Sequence, residues 1–211
     1  MKSLIKRINN IDKNTKALIQ QRLNEFRAFK NKTNEEWFSE LCFCILTANS
    51  RAKTAINIQN ELGSEGFLNK KEKELVETIK RNKHRFHNNK SKYIIEARKY
   101  RDIKNIIQEI VKNKSEADAR IWLDNNIKGL GYKEASHFLR NTGHFNLAIL
   151  DRHIINLMLE HNLINLKFKS LRKADYLLIE KEFNKLAREL NLSPAELDLN
   201  MWYLKAGEVL K

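Results

Sequence analysis

Apolar residues recur at three- and four-residue intervals along almost the whole chain, with polar and basic residues between them, which is the period of amphipathic helices. Leu4, Ile5, Ile8, Ile11, Leu18, Ile19, Leu23 and Phe26 keep that spacing loosely across residues 3–30. Thr33, with Glu36 three residues on, forms a capping box ahead of Trp37. The helix it opens is apolar on nearly every side up to Ala48, so it is predicted to be the central buried helix. A second amphipathic helix runs from Arg51 to Leu62 and closes near Gly63. Residues 70–82 and 91–112 are predicted helices, joined by the basic, aromatic loop His84-Arg85-Phe86-His87-Asn88-Asn89-Lys90. Further helices are expected over Glu116–Asn126, Glu134–Asn141, Asp151–His161 and Lys173–Asn191. Ser193-Pro194-Ala195-Glu196 reads as another capping box, opening a last helix that stops at Gly207.

Composition sharpens this to an all-α fold. One proline and six glycines leave few sites to punctuate strands. The chain's 211 residues fit one large domain or two small ones, and no repeat or long linker divides them. The N-terminus lacks a signal-peptide core, and no apolar run approaches the roughly 20 residues of a membrane span. Cys42 and Cys44, two apart in an apolar run, read as buried thiols in a reducing cytoplasm. A pair of cysteines can supply neither a disulfide framework nor a four-cysteine cluster. His84 and His87 lack the partners of a zinc site, so no metal and no cofactor is expected.

Lys and Arg total 40 against 26 Asp and Glu, a net charge of +14. Thermophile surfaces are also rich in charge, but near balance. A surplus of this size raises the local concentration of phosphates, so nucleic acid is the first partner to consider.

Against that charge, Ile127-Lys128-Gly129-Leu130-Gly131-Tyr132-Lys133-Glu134-Ala135 carries the most chemistry. Gly129 and Gly131 bracket a turn between two helices. Free N–H groups at the start of the second helix bind a backbone phosphate without reading sequence. The plainer reading is a tight interhelical turn. Lys133 falls in the first turn of that helix, where the dipole's positive end would depress its pKa and favour the neutral amine. Such an amine can attack a sugar C1′ and form a Schiff base, although any one of 40 basic residues is most often simply solvated. Asp151 is a good N-cap for its helix, and an ionised carboxylate there would also stabilise a sugar cation. Leu46-Thr47-Ala48-Asn49-Ser50-Arg51 is either a helix cap or a polar wedge for the gap left by an extruded base. Phe86 and Trp202 are core by base rate, and candidates for stacking on such a base by context.

Taken together, these segments resemble the helix-hairpin-helix, Gly/Pro-rich and Asp signature of the endonuclease III superfamily of DNA glycosylases. The hairpin lysine is Lys133, and Asp151 follows it by 18 residues. Leu46-Thr47-Ala48-Asn49-Ser50, Arg85-Phe86-His87-Asn88-Asn89-Lys90, Leu150-Asp151-Arg152-His153, Trp202 and Lys211 are similar to the archaeal-type 8-oxoguanine DNA glycosylase/AP lyases. The likeness spans essentially the whole chain. It implies two helical subdomains flanking a DNA-binding cleft, one of residues 1–34 plus 146–211 and one of 35–145 carrying the hairpin. It also implies Lys133 as the nucleophile, Asp151 as its catalytic assistant, Phe86 and Trp202 around the base, and Lys211 telling 8-oxoguanine from guanine. DNA contacts would come from Asn49, Ser50, Arg51, Gly129, Gly131 and Arg152. The partner is double-stranded DNA holding 8-oxoguanine or an abasic site, met by a cytoplasmic monomer beside the chromosome. Lys128 and Ile149 stand where the superfamily often has proline, and neither replaces a reacting group. The iron–sulfur cysteines of endonuclease III are absent. Rival readings are a glycosylase for another damaged base on the same scaffold, a non-catalytic helix-hairpin-helix module, and a helical protein-interaction domain.

Overall fold

The computed structural model describes residues 1–165 and 171–211. Every regular element among them is helical, twelve α-helices and one 3-10 turn, as the spacing predicts. The chain divides into two compact units, Lys30–Thr142 and Met1–Phe29 with Gly143–Lys211.

In the 1–29/143–211 unit the helices are α1 (Lys2–Asn9), α2 (Lys13–Phe29), α10 (Arg152–Glu160), α11 (Lys173–Glu189) and α12 (Pro194–Ala206). Ile19, Leu23 and Phe26 of α2 bury against Ala195 and Leu199 of α12 and against Val209. The apolar period across residues 3–30 predicts one helix, but the structure breaks it. Asp12 caps a new helix by accepting the Thr15 N–H at 3.0 Å and the Thr15 hydroxyl at 2.7 Å. Ser193 caps α12 through the Glu196 N–H, yet the expected reciprocal bond gives way, because the Glu196 carboxylate accepts from Gln20 instead. Gly207, in the left-handed region at φ 72°, ends α12 as expected.

The 30–142 unit holds α3 (Asn34–Thr47), α4 (Ala52–Asn69), α5 (Glu72–Arg81), α6 (His87–Ala97), α7 (Ile103–Asn113), α8 (Glu116–Asn126) and α9 (Tyr132–Asn141). Thr33 and Glu36 make the full capping box. Every residue of α3 from Trp37 to Thr47 is buried, and α4, α6, α7 and α9 pack around it. Two boundaries differ from the sequence reading. Gly63 kinks α4 at φ 56° without ending it, and the helix resumes to Asn69. The single helix expected over 91–112 is two, split by a 3-10 turn at Arg98–Tyr100, and α6 already begins at His87. The basic aromatic stretch is therefore half loop and half first helical turn. Among the described residues, no helix is long and apolar enough to cross a membrane.

Candidate functional site

The hairpin joins α8 to α9 through residues 127–131. Gly129 has φ 89°, and a Cβ there would lie 2.4 Å from the Tyr93 ring, so both backbone and space demand glycine. Gly131 is extended, at φ −105° and ψ −173°, and a Cβ would meet only the Glu134 carboxylate, at 3.5 Å. No strain requires glycine at 131; its smallness leaves the backbone approachable. Gly131 donates its N–H to Glu134 Oε2 at 3.3 Å, which fixes the start of α9. The Arg120 guanidinium from α8 stacks 4.7 Å above the Tyr132 ring and pins the same corner. Lys133 is the second residue of α9, as expected. Its Nζ lies 3.6 Å from Glu134 Oε1, with both side chains partly buried. That acidic partner was not foreseen.

A second cluster forms where α3 ends. The last carbonyls of a helix lack intrahelical partners, and three side chains of the 84–90 stretch supply donors to this region. Lys90 Nζ donates to Ile45 O at 2.6 Å, and His84 Nε2 to Leu46 O at 2.9 Å. Arg85 donates to Asn49 O at 3.4 Å. His84 Nδ1 accepts the Phe86 N–H at 3.2 Å, so the proton of the neutral ring sits on Nε2. Burial chiefly, then the nearby Lys90, His87 and Arg85, hold that imidazole below its usual pKa against the opposing bond to Leu46. His84 thus ties the Phe86 backbone to the end of α3. Phe86 itself is 40% exposed, with the Arg85 guanidinium 5.3 Å over its ring. Asn49 is exposed at φ 61°, Ser50 is partly exposed and Arg51 is exposed as the N-cap of α4. Through Arg85 and His84 the structure therefore ties the Phe86 segment to the stretch from Leu46 to Asn49.

In the 1–29/143–211 unit, Asp151 caps α10, its Oδ1 accepting the Ile154 N–H at 2.8 Å. Arg152 is exposed beside it. The irregular stretch leading to Asp151 is clamped by α11. The Ala148 N–H donates to Glu180 at 3.0 Å. The Tyr176 hydroxyl donates to Ala148 O at 2.7 Å and accepts the Leu150 N–H at 3.2 Å. Tyr176 and Glu180 lie four apart on one helix face, a spacing the sequence offered without a reason to choose it. Trp202 presents its ring to His153 edge-on at 5.0 Å, and Lys211 is partly buried. Among the described residues, no group of three or more His, Cys, Asp or Glu gathers as metal ligands do.

Known proteins are similar to this chain in sequence and fold. The profile of a family described as 8-oxoguanine DNA glycosylase matches residues 19–192. The 8-oxoguanine DNA glycosylase/AP lyase of Methanocaldococcus jannaschii is 48% identical over 209 residues, 99% of each chain. The corresponding Aquifex aeolicus protein is 47% identical over 180 residues, 82% of this chain and 78% of its own. The crystal structure of the Methanocaldococcus jannaschii 8-oxoguanine glycosylase/lyase with a 15mer DNA containing 8-oxoguanine matches at a TM-score of 0.93 and 47% identity, covering 99% of this chain and 100% of that one. The 8-oxoguanine DNA glycosylase of Thermotoga maritima matches at 0.92 and 39%, covering 100% and 99%. A profile over most of the chain, and relatives this similar from end to end, place the chain in the 8-oxoguanine DNA glycosylase family.

Proposed function

We propose that this protein flips 8-oxoguanine out of duplex DNA, excises it and then nicks the strand. The observation that carries the reading is Lys133, in the first turn behind the glycine hairpin, in a chain of this family. The Lys133 amine attacks C1′ of the extruded nucleotide. The bond from C1′ to N9 breaks, and the base leaves with its electron pair and gains a proton. The amine loses its protons as the sugar opens to an imine. Loss of a C2′ proton then expels the 3′ phosphate by β-elimination, and water releases the lysine. The Asp151 carboxylate stabilises the positive charge that develops at the sugar.

Phe86 and Trp202 are the aromatic side chains for stacking on the base, and Lys211 contributes to telling it from guanine. Asn49, Ser50 and Arg51 enter the gap left behind. Gly129, Gly131 and Arg152 hold backbone phosphates. None of these steps calls on a metal or cofactor. A chromosomal substrate puts the protein in the cytoplasm with the DNA.

The test is borohydride trapping on a duplex with one 8-oxoguanine, beside a guanine control. The expected result is a covalent adduct that requires the lesion and is lost in Lys133→Gln, while that variant still binds the lesion duplex. Undiminished nicking by Lys133→Gln, or no adduct with the unmodified protein, would overturn the reading.

A further inference from the structure

The residues from Leu147 to Leu150, just before Asp151, have no regular structure, yet all of them are buried. Buried backbone outside a helix or strand must find its hydrogen-bond partners elsewhere. Here α11 supplies them from two side chains one turn apart, both buried themselves. The Tyr176 hydroxyl spans the stretch, donating to Ala148 O at 2.7 Å and accepting the Leu150 N–H at 3.2 Å. Glu180 accepts the Ala148 N–H at 3.0 Å. The Asp151 N–H then closes on Ile149 O at 3.1 Å, so the chain enters α10 through a tight bend.

What this adds for chemistry depends on how Asp151 is held. Its Oδ1 accepts the Ile154 N–H, a bond that orients the carboxylate relative to α10 and to nothing else. α10 packs on α12, and the first turn of a packed helix can tilt without losing its own cap. An electrostatic group has no such latitude, because its effect on a developing charge depends on a preorganised distance. Tyr176 and Glu180 grip the backbone just upstream of Asp151, and so fix that residue to a second helix.

We infer that Tyr176, with Glu180 beside it, is a positioning residue for the reaction, holding the Asp151 carboxylate where charge develops at the sugar. The inference rests on the reading of Asp151 as a catalytic carboxylate.

The experiment is a double-mutant cycle read by single-turnover borohydride trapping on the 8-oxoguanine duplex at saturating protein. Its members are the unmodified protein, Tyr176→Phe, Asp151→Asn and the double variant. Phe keeps the ring and removes only the hydroxyl. Tyr176→Phe should trap about tenfold more slowly, with lesion-duplex affinity within about twofold of the unmodified protein. In the Asp151→Asn background the same change should slow the residual trapping by less than about twofold, because the group it positions is already lost. An equal loss in both backgrounds, an unchanged rate in Tyr176→Phe, or a loss confined to affinity would make the clamp a packing feature and overturn the inference. Should Tyr176→Phe not fold, Glu180→Leu, which removes the acceptor for the Ala148 N–H, takes its place under the same criteria. Failure of both to fold would make the clamp part of the fold alone and overturn the inference equally. No trapping by the unmodified protein, or full-speed trapping by Asp151→Asn, would instead strike the function proposed above.

Discussion

A single buried amine, Lys90, has consequences for stability. The Lys90 amine titrates near 8 in the folded protein and near 10.5 when exposed. Between those values the unfolded chain binds more protons than the folded one, so this residue's contribution to stability rises with pH. Below about pH 8 the full cost of burying the ammonium is present; above 10.5 it is gone. The shift corresponds to roughly 3–4 kcal/mol at most, at about 1.4 kcal/mol per unit. Lys90→Met lacks that titration. Its stability relative to the unmodified protein should be greatest at pH 7 and should shrink as pH rises from 8 to 10. Urea unfolding at three pH values measures this, and parallel curves for the two proteins would show that Lys90 is not the titrating group.

At the scale of elements, Asp151 is an observed helix cap and a proposed catalytic carboxylate, two roles that one substitution separates. Asn caps a helix about as well as Asp, whereas Ala loses roughly 1 kcal/mol. Asp151→Asn should therefore keep α10 within about 0.5 kcal/mol of its stability, while Asp151→Ala falls below it. If the carboxylate also stabilises charge at the sugar, both variants should trap at least 100-fold more slowly, the loss typical for a preorganised electrostatic group. Thermal melts paired with trapping rates decide it; an Asn variant trapping at full speed would leave Asp151 as a cap alone.

The same element logic explains what the sequence made legible. Thr33 with Glu36, Ser193 with Pro194, and Gly207 are local signals, and the helix ends they mark are where they point. The break at Asp12 was missed because the apolar spacing continues through it, and only the Asp12–Thr15 bonds reveal the new start. Gly63 was read as a stop because a left-handed residue usually ends a helix, but here it only kinks one. The places of Lys133, in the first turn of α9, and Asp151, capping α10, were legible through spacing and the glycine turn. Lys90 was not, since burial among 40 basic residues is a tertiary fact with no local mark. The His84 bridge from Leu46 to Phe86 was hidden for the same reason, its partners lying 38 residues apart in one direction and two in the other.

For the molecule as a whole, the decisive quantity is the net charge of +14, because its two explanations diverge in salt. A merely charge-rich surface has no reason to meet DNA through phosphates. A surface that neutralises about six of them releases counterions, so affinity should fall log-linearly, by about 1,000-fold between 50 and 200 mM salt. Lesion recognition adds a different kind of contact. The proposed stacking on Phe86 and Trp202 and hydrogen bonding to the base would release few ions. Affinities for 8-oxoguanine and guanine duplexes should therefore fall together, with their ratio changing by less than tenfold over that range. Fluorescence anisotropy with both duplexes across a salt series measures the two slopes. A shallow slope for both would leave the basic surplus without a phosphate partner and favour a protein-interaction role. A lesion preference that vanished as salt rose would mean that discrimination is carried by ionic contacts, not by the base platform.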